Sequence, residues 1–301
     1  MSFQRPPKIS WCSKCVLPSS AAITLTFDDE NVCSACRVEA QKVSINWDER
    51  LEWLLEEVEP YRKPSGYECI IGVSGGKDSY YQVHFVKEKL GLNPLLVTYN
   101  GNNYLDVGWN NLWRMKDVFN VDHIIFTPST DALIRMNRLC FRKMGDMNWQ
   151  NHAGIMTVPM KSAVQHNIPL VFWGEHGWTD MGGMHSMHDL VEYTARYRKD
   201  QCLRGYDWQD MIGDEQDPVF ENELEWCKYP SDEEVSELGL RGIYIGNYDP
   251  WDMNAHSELV KQQYGWQESK VPFERTYRRM SNLDDRYENG IHDYLKYVKF
   301  G

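Results

Sequence analysis

Apolar positions change their period along the chain. Over residues 45–61 they recur at spacings of three and four (Trp47, Leu51, Leu54, Leu55, Val58) with acidic residues between them, which predicts a helix that Pro60 stops. Arg62-Lys63-Pro64-Ser65-Gly66 is a polar break. Beyond it, short apolar runs at 69–73, 94–99, 123–128 and 170–174 predict strands, and helical periods at 79–90, 106–119, 131–143 and 152–166 fall after the first three strands and before the fourth. A fifth strand candidate is 242–246. Parallel neighbours need a crossover, normally a helix, so this alternation predicts an α/β fold with a doubly wound, mainly parallel sheet. Residues 177–240 are less periodic and read as insertions and helices over the sheet edge. The pattern divides the chain into a small N-terminal unit at 1–45, a connecting helix and linker at 46–64, an α/β domain at 65–200 and a C-terminal region at 201–301.

Composition narrows the function classes. The chain has 301 residues, 42% of them hydrophobic and 13% aromatic, with twelve Trp, which is too rich in large apolar side chains for a disordered chain. No window approaches the roughly 18 uninterrupted apolar residues of a spanning helix, and residues 1–14 lack an apolar leader core, so the protein reads as cytoplasmic. With 44 Asp+Glu against 32 Lys+Arg, the net charge of −12 offers no long-range attraction to a polyphosphate backbone. A nucleic-acid role would need a local basic face, whereas small anionic substrates remain open.

Four of the eight cysteines form two tight pairs, Cys12-x-x-Cys15 and Cys33-x-x-Cys36. Two residues between thiolates let both sulfurs of a turn face one ion, and two such knuckles complete the tetrahedron that zinc prefers. A unit of this size has too little core to fold without a staple, so the expected zinc is structural. A redox dithiol is the competing reading. Cys69, Cys140, Cys202 and Cys227 stand apart and read as small buried hydrophobes.

The most informative segment is Ser74-Gly75-Gly76-Lys77-Asp78-Ser79, directly after the first strand and before a helix. Two glycines let the backbone approach an anion, the helix N-terminus adds free N–H groups and a positive dipole end, and Lys77 adds a mobile charge. This is the pattern of a phosphate cradle. It is not a Walker A loop, because Ile71 occupies the first glycine position and Asp78 follows the lysine.

The Ser-Gly-Gly-Lys-Asp-Ser run resembles the PP-loop of the N-type ATP pyrophosphatases, which cleave ATP to AMP and pyrophosphate. Within that superfamily the chain is similar to the N-acetyl sugar amidotransferases of bacterial surface-polysaccharide, O-antigen and flagellin-sugar biosynthesis. The similar features are Cys12-x-x-Cys15-Val16-Leu17-Pro18 with the second Cys pair, Gly72-Val73 before the loop, Trp173-Gly174-Glu175, Tyr229-Pro230-Ser231-Asp232-Glu233-Glu234, Gly246-Asn247-Tyr248-Asp249-Pro250-Trp251-Asp252, and the closing stretch from His292 to Gly301. Together they span nearly the whole chain. Members of that family continue beyond Lys299-Phe300-Gly301, so the resemblance implies a longer chain than this one.

The resemblance implies an adenine nucleotide alpha hydrolase-like (HUP) sheet, with 65–200 as the PP-loop domain and 201–301 as a substrate or partner region. It further implies an ATP-dependent amidotransferase that adenylylates the acetamido oxygen of an N-acetylated, UDP-linked sugar and replaces it with ammonia. The cofactors expected are ATP, magnesium and structural zinc. Ser74, Gly75, Gly76, Lys77 and Ser79 are assigned to the leaving pyrophosphate, and Asp78 to magnesium. Gly174 and Glu175 end a strand beside the loop, where Glu175 is a candidate to bind magnesium or orient the nucleophile, an ordinary loop carboxylate being the alternative. Tyr99 and Asn100 end the second strand and are candidates to border the adenosine, with core packing an equal reading for Tyr99.

No glutaminase signature is present, so the resemblance implies a separate glutaminase and a barrel-like partner that delivers ammonia. The glycine-rich segment 174–189 reads as a mobile substrate loop, in which His185 and His188 are spaced to share a metal but lack an evident third ligand. Arg196, Arg198, Arg204, Lys228 and Arg241 are candidates to meet a sugar-nucleotide diphosphate, and Trp208, Trp226, Trp251 and Trp266 to stack on it, with surface charge and core packing the respective alternatives. The runner-up activity is a tRNA-modifying PP-loop thiolase or ligase. Against it stand the net charge, the lack of a Cys-x-x-Cys in the ATP domain and the lack of a Lys/Arg block. A nucleotide-sensing zinc module is a third, non-enzymatic class.

Overall fold

A computed structural model of the chain describes residues 8–21, 23–272, 279–281 and 283–300. Residues 1–7, read above for a leader, and Gly301 of the closing motif lie outside the described residues. Five short strands carry the fold: β1 (Cys69–Gly72), β2 (Pro94–Tyr99), β3 (His123–Phe126), β4 (Leu170–Trp173) and β5 (Arg241–Tyr244). All neighbours are parallel, in the order β3-β2-β1-β4-β5, with Ile70 in register with Leu95 on one side and Val171 on the other. The expected doubly wound sheet is therefore present. Its order reverses between β1 and β4, and ligands of open α/β sheets sit outside the strand carboxyl ends at such a reversal. The central strands are buried on both faces, which is why they read as continuous apolar runs rather than alternating ones.

Before the sheet come α1 (Ser34–Gln41) in the N-terminal unit and α2 (Trp47–Val58), which ends in a 3-10 turn at Glu59–Tyr61 that contains Pro60. The helix after β1, α3 (Lys77–His84), continues as a π turn over Phe85–Lys89. After β2 comes α4 (Asp106–Phe119), and between β3 and β4 lie α5 (Thr130–Met144) and α6 (Trp149–Gln165). One sheet face, with Ile71, Leu96, Phe172 and Ile243, packs on Leu54, Tyr80, Leu112 and Val260. The other, with Ile70, Val97 and Val171, packs on Met136, Leu139, Ala153 and Ala163 of α5 and α6.

Residues 177–240 were expected over the sheet edge. They include α7 (Gly177–Gly182), α8 (Ala195–Tyr197) with a π turn Arg198–Cys202, several 3-10 turns and α9 (Asp232–Leu238). Tyr193, Leu203, Met211, Val219, Leu224 and Trp226 of this stretch enter the second face's core, so it covers a face and not merely an edge. Its apolar residues are sparse and aperiodic because they come from irregular segments and short 3-10 turns rather than from one long helix or strand. The sheet also runs across the 65–200 and 201–301 stretches, since β5 pairs with β4. After β5 come α10 (Met253–Tyr264) and α11 (Glu288–Phe300). No helix of the described residues is long and apolar enough to cross a membrane.

Candidate active site

The chain leaves β1 at Gly72 and turns through Val73, Ser74, Gly75 and Gly76 into α3. Gly75 has φ +78°, and a Cβ there would lie 2.7 Å from the Leu112 backbone of α4, so both conformation and space demand glycine. Its carbonyl accepts a 3.0 Å hydrogen bond from the Trp266 indole. Ser79 Oγ accepts from the Ser74 backbone N–H at 2.9 Å and lies 3.4 Å from Ser74 Oγ. Gly76 is the N-cap and brings no side chain, so the first-turn N–H groups of α3 keep their positive end for an anion.

Lys77 is buried, and its Nζ lies 2.5 Å from Asp78 Oδ2. The other oxygen, Asp78 Oδ1, is buried with no hydrogen-bond partner among the described residues. A carboxylate oxygen without a donor is costly to bury, and a hard cation is the partner that would satisfy it.

Across the reversal point, β4 is followed directly by Gly174 and Glu175. A Cβ at Gly174 would come within 2.8 Å of the Gln82 amide of α3 and 3.0 Å of Trp251, so glycine lets the strand end close on the loop helix. Glu175 is exposed but set among protein walls. That desolvation, and then the negative Asp78, raise its carboxyl above the ordinary range, with Lys77 acting in the opposite direction. Lys77, Asp78 and Glu175 thus share one electrostatic environment.

Tyr99 is buried, donates to Gln150 Oε1 at 2.5 Å and stacks on Trp226 at 4.8 Å, a core setting. Asn100 lines a small cavity of about 220 Å3 outside β2 and β3, where its side chain donates to Thr127 Oγ1.

The segment 246–252 supports the loop helix from outside. Asp249 accepts from the Tyr81 hydroxyl at 2.5 Å and from Lys89 Nζ at 2.6 Å. His256 of α10 stacks on Tyr81 with ring centroids 3.4 Å apart, and Trp251 meets Tyr81 edge-on. Burial pulls the His256 imidazole down to about 4, against the carboxylates of Asp78, Asp249 and Asp252, and leaves its Nδ1 without a partner among the described residues. Buried Arg50 of α2 donates to the Asn247 and Met187 carbonyls, tying the connecting helix to both loops. Sequence reasoning gave Asp249, His256 and Arg50 no role, although Asp249 lies in a quoted motif. Their partners are 168, 175 and up to 197 residues away, a separation that spacing does not register.

The four knuckle sulfurs converge. All lie within 4.8 Å of one another, Cys12 to Cys36 at 3.9 Å and Cys15 to Cys33 at 3.7 Å. Burial pushes the Cys12 thiol up, but the backbone N–H groups of Cys33, Lys14 and Cys15 outweigh it and bring it down to about 6. A thiolate favoured by N–H donors amid three more thiols is a donor set that fits a tetrahedral cation. The unit docks on the loop after β4: Ser34 Oγ donates to the Gly182 carbonyl at 2.5 Å, Lys42 pairs with Asp180 at 2.9 Å, and Gln41 Oε1 accepts from the Met187 N–H at 2.9 Å.

Other candidates disperse. Arg198 is buried against Thr157, Asp207 and the Cys227 carbonyl; Arg241 pairs with Glu57 and Glu192, Lys228 with Glu221 and Glu225, and exposed Arg196 with Asp200. Arg204 pairs with Asp146 at a larger cavity. Trp226 stacks in the core, Trp208 lies under Lys228, and Trp251 and Trp266 brace α3 and the loop. His185 packs edge-on against His176, and among the described residues the knuckle is the one group of three or more clustered metal-binding side chains.

No protein-family model matches the chain. An uncharacterised protein of Methanocaldococcus jannaschii is 29% identical over 137 residues, which are 44% of this chain and 49% of that protein, so the chain spans about half the length of the curated relative it matches. Similar solved structures are an NH3-dependent NAD synthetase from Campylobacter jejuni (TM-score 0.35, 14% identity, 65% of this chain and 93% of that one) and an NMN synthetase from Francisella tularensis (0.36, 13%, 75% and 96%). A third is the U34-tRNA thiolase NcsA from Methanococcus maripaludis, described with its 4Fe-4S cluster (0.37, 11%, 96% and 84%). The fold described above stands on the sheet's own order and direction.

Proposed function

We propose that the chain is an ATP-dependent amidotransferase that converts the acetamido group of an N-acetylated nucleotide sugar to an acetamidino group, releasing AMP and pyrophosphate. The observation that carries the ATP chemistry is the loop at the reversal point, with Lys77 buried in it, an unpartnered Asp78 oxygen and Glu175 opposite. The sequence motifs shared with sugar amidotransferases, of which 246–252 braces α3, support the sugar branch.

An amide oxygen is a poor leaving group, so the reaction begins by making it a better one. The acetamido oxygen attacks the α-phosphorus of ATP and pyrophosphate departs with the electrons of the broken P–O bond. The first-turn N–H groups of α3, the Ser74 and Ser79 hydroxyls and Lys77 stabilise the charge that develops there. Ammonia then adds to the imidate carbon and AMP leaves with the former amide oxygen, so the product carries nitrogen in its place. Glu175, its carboxyl raised, is suited to orient ammonia and accept a proton from it. Asp78, with its unpartnered oxygen, would hold magnesium, which would neutralise phosphate charge. Cys12, Cys15, Cys33 and Cys36 would hold structural zinc. Ammonia is expected from a separate glutaminase through a barrel-like partner.

The test supplies Mg-ATP, ammonium and a UDP-linked 2,3-diacetamido sugar. AMP formed only with the sugar, and a sugar product one mass unit lighter, support the reading. AMP formed with tRNA and not with the sugar replaces it by tRNA modification, and ADP with phosphate removes PP-loop chemistry altogether.

A further inference from the structure

On the knuckle side of Glu175 the described residues enclose a cavity of about 800 Å3, large enough for a nucleotide-sized ligand. Its wall is built by three distant parts of the chain: Ile23 and Thr24 of the N-terminal unit, residues of α6 and the 175–204 loops, and Lys296 and Lys299 of α11. Glu175 opens onto it, so the cavity and the phosphate loop meet at one carboxylate. Much of the remaining wall is apolar or aromatic, from Ile155, Met156, Trp178 and Tyr244. Met181 and Met184, also in the wall, are exposed at 58% and 38%, more apolar surface than a surface loop needs and of the adaptable kind that suits a ligand.

Charge in the cavity is unevenly cancelled. Asp146 is matched by Arg204, and Asp200 by Arg196. Lys299 donates to the Met144 carbonyl at 2.9 Å, and neither it nor Lys296 has a carboxylate partner among the described residues. Once these pairs are made, the wall keeps Lys296 and Lys299 against Glu175 alone, and in a chain of net charge −12 that local excess of cations marks an anion position.

We infer that this cavity is the acceptor site, taking a small molecule whose phosphate groups meet Lys296 and Lys299 while its uncharged body lies along Trp178 and the methionines toward Glu175. The inference rests on the proposed reaction for the word acceptor, but the anion position stands on the cavity alone. Because Ile23 and Thr24 form part of the wall, the knuckle shapes this site directly.

The experiment is calorimetric titration of the full chain with UDP-N-acetylglucosamine, without ATP, for the wild type and for K296E/K299E, whose changes lie on exposed positions of α11. Binding is expected in the wild type and at least about tenfold weaker binding in the variant, with ATP affinity unchanged in the same preparation. Equal binding in both proteins, or no binding of the probe to the wild type, overturns the inference. Binding lost in the variant, in a protein that forms no AMP with any N-acetylated sugar, leaves the cavity standing and removes the proposed reaction. AMP formation with the sugar that is untouched by the double change leaves the reaction standing and removes the cavity.

Discussion

Lys77 and Gly75 show how single residues shape the loop after β1. Lys77 is held almost dry, at 4% exposure, where its charge would be little screened on the departing phosphate of the proposed reaction. Lys77→Ala is therefore expected to lower AMP release by at least about 100-fold, the scale of losing one preorganised charge. A near-unchanged melting curve would accompany it, and an unaffected rate removes Lys77 from the site. Gly75 is constrained for a different reason. A side chain there meets the Leu112 backbone and adopts a conformation that costs about 1–2 kcal/mol for an L-residue. Gly75→Ala is expected to weaken ATP binding more than about tenfold, and to lower the melting temperature, because the loop can open only by moving α4. Titration of nucleotide against the variant checks it.

At the scale of elements, the knuckle is more than an appendage. Its contacts through Ser34, Gln41 and Lys42 all land on the 180–187 stretch that follows Glu175. Removing the proposed knuckle metal with a chelator, or Cys33→Ser, is expected to raise backbone hydrogen exchange both in residues 8–45 and in 177–189, while the sheet stays protected. Exchange confined to the knuckle would show that the two do not support each other. The motif 246–252 acts likewise at a distance from chemistry: Asp249 holds Tyr81 and Lys89 of the loop helix and its continuation. Its role became legible only when β5 delivered it beside α3.

Over the whole molecule, buried neutral histidines set an acid limit. Burial pulls His176 and His256 down to about 4 in the fold, against about 6.5 in an unfolded chain. The unfolded state then binds more protons between these values, so stability is full above about pH 6.5 and falls as pH drops toward about 4, by up to about 3 kcal/mol for each group. Melting temperatures measured from pH 7.5 to 4.5 should fall accordingly, and His256→Phe, which keeps the stack on Tyr81, should flatten part of that fall. An unchanged slope in that variant would assign the acid limit elsewhere.

Much of this architecture was present in local pattern. The five strands, their order of appearance, the Cys-x-x-Cys pairs and the Ser-Gly-Gly-Lys-Asp-Ser turn could be read directly, because each is a short-range consequence of period, spacing or backbone freedom. The 106–119 helix agreed to the residue, while 79–90 began two residues early at Lys77, since Gly76 supplies the cap. What spacing could not convey was the destination of each side chain. Five cationic candidates looked equivalent along the chain, yet all five are paired with acids and Arg204 alone among them lines the cavity. Tertiary structure decided that, as it decided that Glu175 faces Asp78, that Trp266 holds the Gly75 carbonyl, and that the knuckle leans on the loop after β4. These contacts join residues from about 100 to 190 positions apart, and only the crossing order of a parallel sheet determines which distant strand ends share a crevice.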